Sequence, residues 1–186
     1  MLDYLKKKKK YLKEPWRLRV ILAYFLMITF AVSARPVEPY FWIGTAMVAA
    51  GIVIRAWASG ILKKDDELAT EGPYSLCRNP LYVGNFLIGY GICAINTHWW
   101  SFGLFTAYLL LTYPFTIRKE ERKLNQYFKE DFADYKEKVR RFIPRLTPYK
   151  TLVGWSPYQY FVDNMDFLNE GAVIIVWAYT LYIFIS

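Results

Sequence analysis

Apolar and charged positions are sharply segregated along this chain. Val20–Ala34, Tyr40–Ile54 and Leu81–Ile95 are runs of 15 residues without a charge, Trp99–Ile117 is one of 19 and Gly171–Ser186 one of 16. A helix rises about 1.5 Å per residue and a hydrocarbon core is about 30 Å thick, so roughly 20 residues cross it. The shorter runs gain length from flanking Arg, Lys, Trp and Tyr, which snorkel or anchor at the interface. A different period follows Trp99–Ile117. Leu124, Phe128, Phe132, Tyr135 and Val139 recur at helical spacing among charged residues, which predicts an amphipathic helix over Glu120–Val139. It reads as the continuation of the fourth span, lying on the membrane surface or covering a pocket formed by the other polar loop. The fold expected is all-α, an integral membrane helical bundle of about five transmembrane helices with a cytoplasmic amphipathic helix. Residues 1–186 form one domain, with a core over 55–144 and a C-terminal extension, 145–186, that carries the fifth span.

Composition supports this pattern and charge orients it. Hydrophobic residues make up 55% of the 186 and aromatic residues 19%, far from a disordered composition. Two cysteines cannot staple a disulfide scaffold. The net charge of +8 would suit a nucleic-acid binder only if the bases formed one soluble patch. Instead 22 of the 24 Lys and Arg fall before Val20, in the loop after the second span, or between Arg118 and Lys150. All three stretches lie on one side if the amino terminus is cytoplasmic, as the positive-inside rule requires. Nucleic acid is then no expected partner; the bilayer is. The run Lys6–Lys10 reads as an inside anchor, and no small-residue cleavage site follows the first span. Tight outer connections at Arg35–Pro39 and Asn96–His98 leave the long polar stretches 61–80 and 118–150 to form the cytoplasmic face.

The first polar stretch ends Gly72-Pro73-Tyr74-Ser75-Leu76-Cys77-Arg78-Asn79-Pro80. Gly72-Pro73 marks a turn. Asn79-Pro80 reads as an N-cap followed by proline at the first helical position. Arg78 beside a helix N-terminus makes either a well-capped membrane helix or a carboxylate or phosphate site. Gly84, Gly89 and Gly91 permit close helix approach, or leave room for a flat ligand. Glu120 and Glu121 suit a helix start electrostatically and equally suit a cationic or hydroxyl-bearing ligand. Arg55, near the inner end of the second span, either snorkels or serves a site. His98, beside Trp99 and Trp100, reads as interfacial, and Cys77 and Cys93 lie at depths too different for pairing.

Gly72-Pro73-Tyr74 followed by Arg78-Asn79-Pro80-Leu81-Tyr82-Val83-Gly84 resembles the GxY…RHPxYxG signature of the isoprenylcysteine carboxyl methyltransferase and phospholipid methyltransferase superfamily. Glu120-Glu121-Arg122-Lys123-Leu124, Phe128, Phe132, Tyr135 and Arg141-Phe142-Ile143-Pro144 resemble its second half, EExxL…F…Y..Y…RxxP. Asn79 departs from the usual His, Lys129 from a Gly, and Phe132 from a common Tyr. The resemblance implies S-adenosylmethionine as cofactor, S-adenosylhomocysteine as product, and a lipid or lipidated acceptor. It implies a cofactor site of Leu68, Tyr74, Arg78, Asn79, Pro80, Tyr82, Gly84, Glu120, Glu121 and Tyr135. Such a site works by alignment and exclusion of water and needs no metal. Arg55 and Arg141, if they face the pocket, favour an anionic acceptor, a phosphate or a carboxylate. The alternatives are an amine-directed phospholipid N-methyltransferase, a non-catalytic membrane module that kept the fold, and a membrane reductase of related helical core.

Overall fold

The computed structural model describes residues 16–63, 67–151 and 154–186, with side chains from Arg19 onward in the first helix. The Lys6–Lys10 anchor, Lys13 and Lys64 lie outside the described residues. Five helices carry the fold: α1 (Trp16–Val32), α2 (Tyr40–Ser59), α3 (Pro80–Asn96), α4 (Trp99–Lys138) and α5 (Asp166–Ile185). A 3₁₀ turn spans Gly72–Ser75 and a π turn Gln159–Asp163. Among the described residues there is no strand.

The α2–α3 pair is the spine of the bundle, and glycine makes it possible. A Cβ built on Gly44 would lie 2.5 Å from the Gly91 carbonyl oxygen, and one on Gly51 would lie 2.7 Å from that of Gly84. The reverse approaches, Gly91 on Gly44 and Gly84 on Gly51, are equally tight at 2.7 and 2.8 Å. Backbones this close gain dispersion contact along their length, which is how helices associate where no hydrophobic effect operates. Gly89 instead receives the Phe105 ring of α4, 1.9 Å from where its Cβ would be. These glycines therefore serve helix approach rather than a flat ligand.

Around this spine the apolar side chains divide between inside and outside. Phe30, Phe41, Ile92, Phe105 and Ile117 are buried in one core, while Phe25 and Ile28 on α1, Leu110 and Leu111 on α4, and Ile174 and Ile175 on α5 point outward. An apolar exterior of this extent suits hydrocarbon, not water. α2 and α5 are long and apolar enough to cross a membrane, and α1 contributes a shorter apolar helix. The molecule is a helical membrane bundle.

α4 joins the fourth apolar run and the amphipathic segment into one helix of 40 residues, about twice as long as a bilayer core is thick. Its distal part carries Phe132, Tyr135 and Val139 into a second small core. The helix breaks at Lys129, where φ is 31° and ψ is −101°. Residues 140–151 then run back along the loop before α3. The Arg78 N–H donates to the Arg140 carbonyl (2.9 Å), Arg145 N–H to Leu76 (2.9 Å), Tyr149 N–H to Ser75 (3.0 Å) and Gly72 N–H to Thr151 (2.8 Å). Gly72 sits at φ +53°, a left-handed conformation that glycine adopts without penalty.

The C-terminal extension closes the polar end. The Asn164 side-chain amide donates to the carbonyls of Ser59 (2.7 Å) and Leu62 (2.9 Å), and the Trp155 indole N–H to Ala56 (2.9 Å). These carbonyls belong to the last turn of α2 and its exit, where intrahelical partners run out. α5 begins at Asp166, ahead of the start near Gly171 that the uncharged run predicts, because Asp166 and Glu170 are buried within the bundle rather than left at the surface.

Candidate active site

The loop before α3 and the distal half of α4 face each other across a cavity of about 430 Å³ at the polar end of the bundle. It is lined by Arg55, Leu68, Tyr74, Arg78, Asn79, Pro80, Tyr82, Glu120, Glu121 and Tyr135. Of the residues that the sequence assigns to the cofactor and acceptor sites, only Gly84 and Arg141 are missing from this wall. Gly84 lies behind it, where its missing side chain leaves room for the Arg55 stem, 2.6 Å from a built Cβ. Leu124, Phe128 and Phe132 complete the wall from α4, so the amphipathic helix covers a pocket.

The charged side chains hold one another in place. Glu121 accepts from Arg78 Nη2 (3.2 Å) and binds Arg141 through two contacts, Nε at 3.1 Å and Nη2 at 2.7 Å. Arg78 also donates to the Lys136 carbonyl (2.7 Å) at the end of α4. Burial lowers the Arg78 pKa, with the Glu121 carboxylate opposing. Arg141 remains 43% exposed, and its guanidinium is bonded to the cavity wall through Glu121. Asn79 occupies the N-cap position of α3, but its side chain makes no capping bond. Its amide reaches across to the Arg141 carbonyl (3.2 Å) instead, linking the two halves of the motif.

The tyrosines have separate tasks. The Tyr135 hydroxyl donates to the Tyr74 carbonyl (2.6 Å), and its pKa is raised by burial. The Tyr74 hydroxyl is buried and has no hydrogen-bond partner among the described residues. Tyr82 donates to Glu120 (2.7 Å). Glu120 is exposed although it lines the cavity. The protein crowded around it nevertheless raises its pKa above the ordinary carboxylate value, opposed by the Tyr82 hydrogen bond and by Arg19.

Arg55 does not snorkel. It is 9% exposed, forms an ion pair with Asp166 (2.7 Å) and donates to Asn85 Oδ1 (2.5 Å). It also stands in the wall of a second cavity of about 260 Å³ between α1, α3, α4 and α5. This cavity is mainly apolar, lined by side chains such as Met27, Ile92, Phe105 and Val173. Arg19, Arg55 and Asn85 line both cavities. Sequence reasoning missed Asp166, Asn85 and Arg19. Nothing local marks Asn85, and Arg19 counts from sequence as one more topological base. An aspartate opening an apolar helix was a legible signal for a buried partner, since a lone carboxylate there is costly.

The phospholipid methyltransferase family model matches residues 39–131, from the start of α2 to the distal part of α4. The chain belongs to the phospholipid methyltransferase family. Three relatives give further context. The cobalt-zinc-cadmium resistance protein CzcN of Cupriavidus metallidurans is 33% identical over 147 residues, covering 75% of this chain and 67% of that protein. The nickel-cobalt-cadmium resistance protein NccN of Alcaligenes xylosoxydans is 34% identical over 154 residues, covering 75% and 71%. The protein-S-isoprenylcysteine O-methyltransferase of Schizosaccharomyces pombe is 32% identical over 100 residues, covering 54% and 42%. No solved structure is detectably similar. The stretch that places this chain among the phospholipid methyltransferases includes Arg55 and most of the cavity wall. It leaves out α1 and α5, which supply Arg19 and Asp166.

Proposed function

We propose that this chain is an S-adenosylmethionine-dependent integral membrane methyltransferase, with the cofactor in the polar cavity and a lipid or lipidated acceptor in the apolar one. The observation that carries the reading is the wall of Arg19, Arg55 and Asn85 common to both cavities. It puts a compartment whose wall carries Arg78, Glu120, Glu121 and Lys123 end to end with one lined mainly by apolar side chains. The polar cavity fits the cofactor on its own terms. Glu120 and Glu121 offer acceptors to an ammonium and to ribose hydroxyls, and Arg78 a cation to a carboxylate. The unpartnered Tyr74 hydroxyl and the rings of Tyr82 and Phe128 suit a ring system and a sulfonium. When bound, the cofactor supplies an activated methyl group. The chain's own part is to align, exclude water and hold the acceptor. Arg55 does so from the common wall, and Arg141 is a positioning residue acting through Glu121.

A carboxylate or phosphate acceptor gives up no proton on methylation, and basic side chains at the junction favour that class. An amine acceptor must lose a proton. Glu120, hydrogen-bonded to Tyr82 and raised in pKa, is the observation favouring the N-methylating alternative. The topology that goes with this reading is multi-pass, with five spans and with the amino terminus and the polar cavity on the cytoplasmic side. In a prokaryote the membrane would be the plasma or inner membrane. The basic residues of the polar end support that orientation through the positive-inside rule.

The test uses full-length protein in detergent. Isothermal titration with S-adenosylhomocysteine is expected to show binding, and no binding at millimolar ligand sinks the enzyme reading in favour of a non-catalytic module. Incubation with methyl-labelled cofactor and a total lipid extract then identifies the acceptor. A methyl ester in the product supports the anionic class and an N-methyl amine the alternative.

A further inference from the structure

We propose that Arg19 reads the acceptor, making the apolar cavity a site for an amphiphile whose head is a carboxylate or a phosphate monoester. As a specificity assignment it rests on the methyltransferase reading; as a binding site it stands alone. The other arginines at the junction are matched. Arg55 is matched by Asp166 at 2.7 Å, and Arg78 and Arg141 share Glu121. Among the described residues Arg19 forms no ion pair, and its Nη1 is buried without a hydrogen-bond partner. The nearby acid, Glu120, is bonded to Tyr82 instead. A guanidinium with an unused donor in an apolar wall is a costly arrangement, and an anion delivered with an apolar chain would relieve it.

The surroundings preorganise Arg19 for that task. Its guanidinium carbon lies 6.0 Å from the Tyr82 ring centroid and 5.8 Å from that of Tyr113. Two aromatic rings stabilise the cation without neutralising it. The Tyr108 hydroxyl donates to the Arg19 carbonyl (3.3 Å), fixing this turn of α1 against α4. From Arg19 the cavity runs along Met27, Ile88, Ile92, Phe105 and Val173, a path for a hydrocarbon chain rather than a soluble metabolite. The head is held where the two cavities meet, as an acceptor oxygen must be. α1 lies outside the stretch matched to the family, so the residue that reads the head group comes from a flanking helix.

The experiment is quenching of tryptophan fluorescence in the full-length protein in detergent, because Trp100 packs edge-to-face against the cavity-lining Phe30, with ring centroids 5.6 Å apart. The probes are dibromostearic acid and its uncharged methyl ester. Wild type is expected to bind the acid about tenfold more tightly, a difference of about 1.4 kcal/mol. Arg19→Gln is expected to lose that preference while binding the ester as before, and Arg19→Lys to keep most of it. Met27→Trp, which fills the chain path, should weaken both probes alike. Hexadecyl phosphate should displace the acid where inorganic phosphate at equal concentration does not. Equal binding of acid and ester by wild type, a preference that survives Arg19→Gln, or displacement by inorganic phosphate overturns the assignment. If wild type fails to bind S-adenosylhomocysteine while this pattern holds, the methyltransferase reading falls and the anionic amphiphile site remains.

Discussion

Lys129 occupies a backbone conformation that a side chain resists, at φ 31° and ψ −101° in the middle of α4. The signature that this stretch resembles has glycine here, the residue best suited to such a conformation. Non-glycine residues in such regions cost about 1–3 kcal/mol. Lys129→Gly is therefore expected to raise stability by about 1 kcal/mol in thermal melts in detergent, and Lys129→Ala to leave it nearly unchanged. A melting temperature lowered by the glycine would show that the kink is not strained. Glu120 supports a prediction of a different kind. Its folded-state pKa lies above the ordinary carboxylate value. Between those two values the folded chain binds more protons than the unfolded chain, so this group lowers stability as pH rises through the window. A ligand ammonium favours the ionised carboxylate and reverses the sign for binding. S-adenosylhomocysteine affinity should rise with pH across the same window and then level off, and Glu120→Gln should flatten the profile. Titrations at stepped pH decide this; a flat wild-type profile would remove Glu120 from the ammonium site.

At the scale of elements, the α2–α3 contact makes the clearest demand on sequence. A methyl group at Gly84 would meet the Gly51 carbonyl and the Arg55 stem at 2.8 and 2.6 Å, whereas one at Gly103 on α4 would meet nothing within 4 Å. Gly84→Ala is expected to cost about 1–3 kcal/mol by overpacking, and Gly103→Ala to be neutral or to gain up to about 1 kcal/mol from helix propensity. Reversible unfolding in detergent compares them directly, and equal effects would mean that the helices separate without resistance. The helices themselves were legible because each apolar run has to become one where backbone groups cannot meet water. What escaped the pattern lay at the joins. Helical spacing across Ile117 and Glu120 made the continuity of the fourth run with the amphipathic segment legible, but not the break at Lys129. The strap that pairs residues 140–151 with the loop before α3 uses backbone groups, which leave no side-chain signature. Asn79 has the chemistry of a cap, yet tertiary placement turns its amide to the Arg141 carbonyl. The site was readable where motif and burial coincide, at Tyr74, Tyr82 and Glu121. It was unreadable where its residues come from α1 and α5, because Arg19 and Asp166 acquire meaning only through contacts over long sequence separation.

For the molecule as a whole, the Arg55–Asp166 pair determines whether the C-terminal helix is an accessory or a structural part of the bundle. Both side chains are nearly buried, 11% and 12% exposed, and they join α2 to α5 across 111 positions of sequence. Removing one member of such a pair leaves the other charged and unmatched in a low-dielectric interior, a loss of about 3–5 kcal/mol, whereas replacing both with apolar groups is often close to neutral. Asp166→Leu alone is thus expected to destabilise the protein by that amount and to expose the chain to proteolysis. Arg55→Leu combined with Asp166→Leu should restore most of the stability. The double variant also separates folding from function. Arg55 lines both cavities, so a refolded bundle without it should still bind S-adenosylhomocysteine yet transfer the methyl group poorly. Full activity in the double variant would reduce Arg55 to a structural pin. Loss of activity with intact folding and cofactor binding would place it in the wall where cofactor and lipid meet, held there by a helix outside the stretch matched to the family.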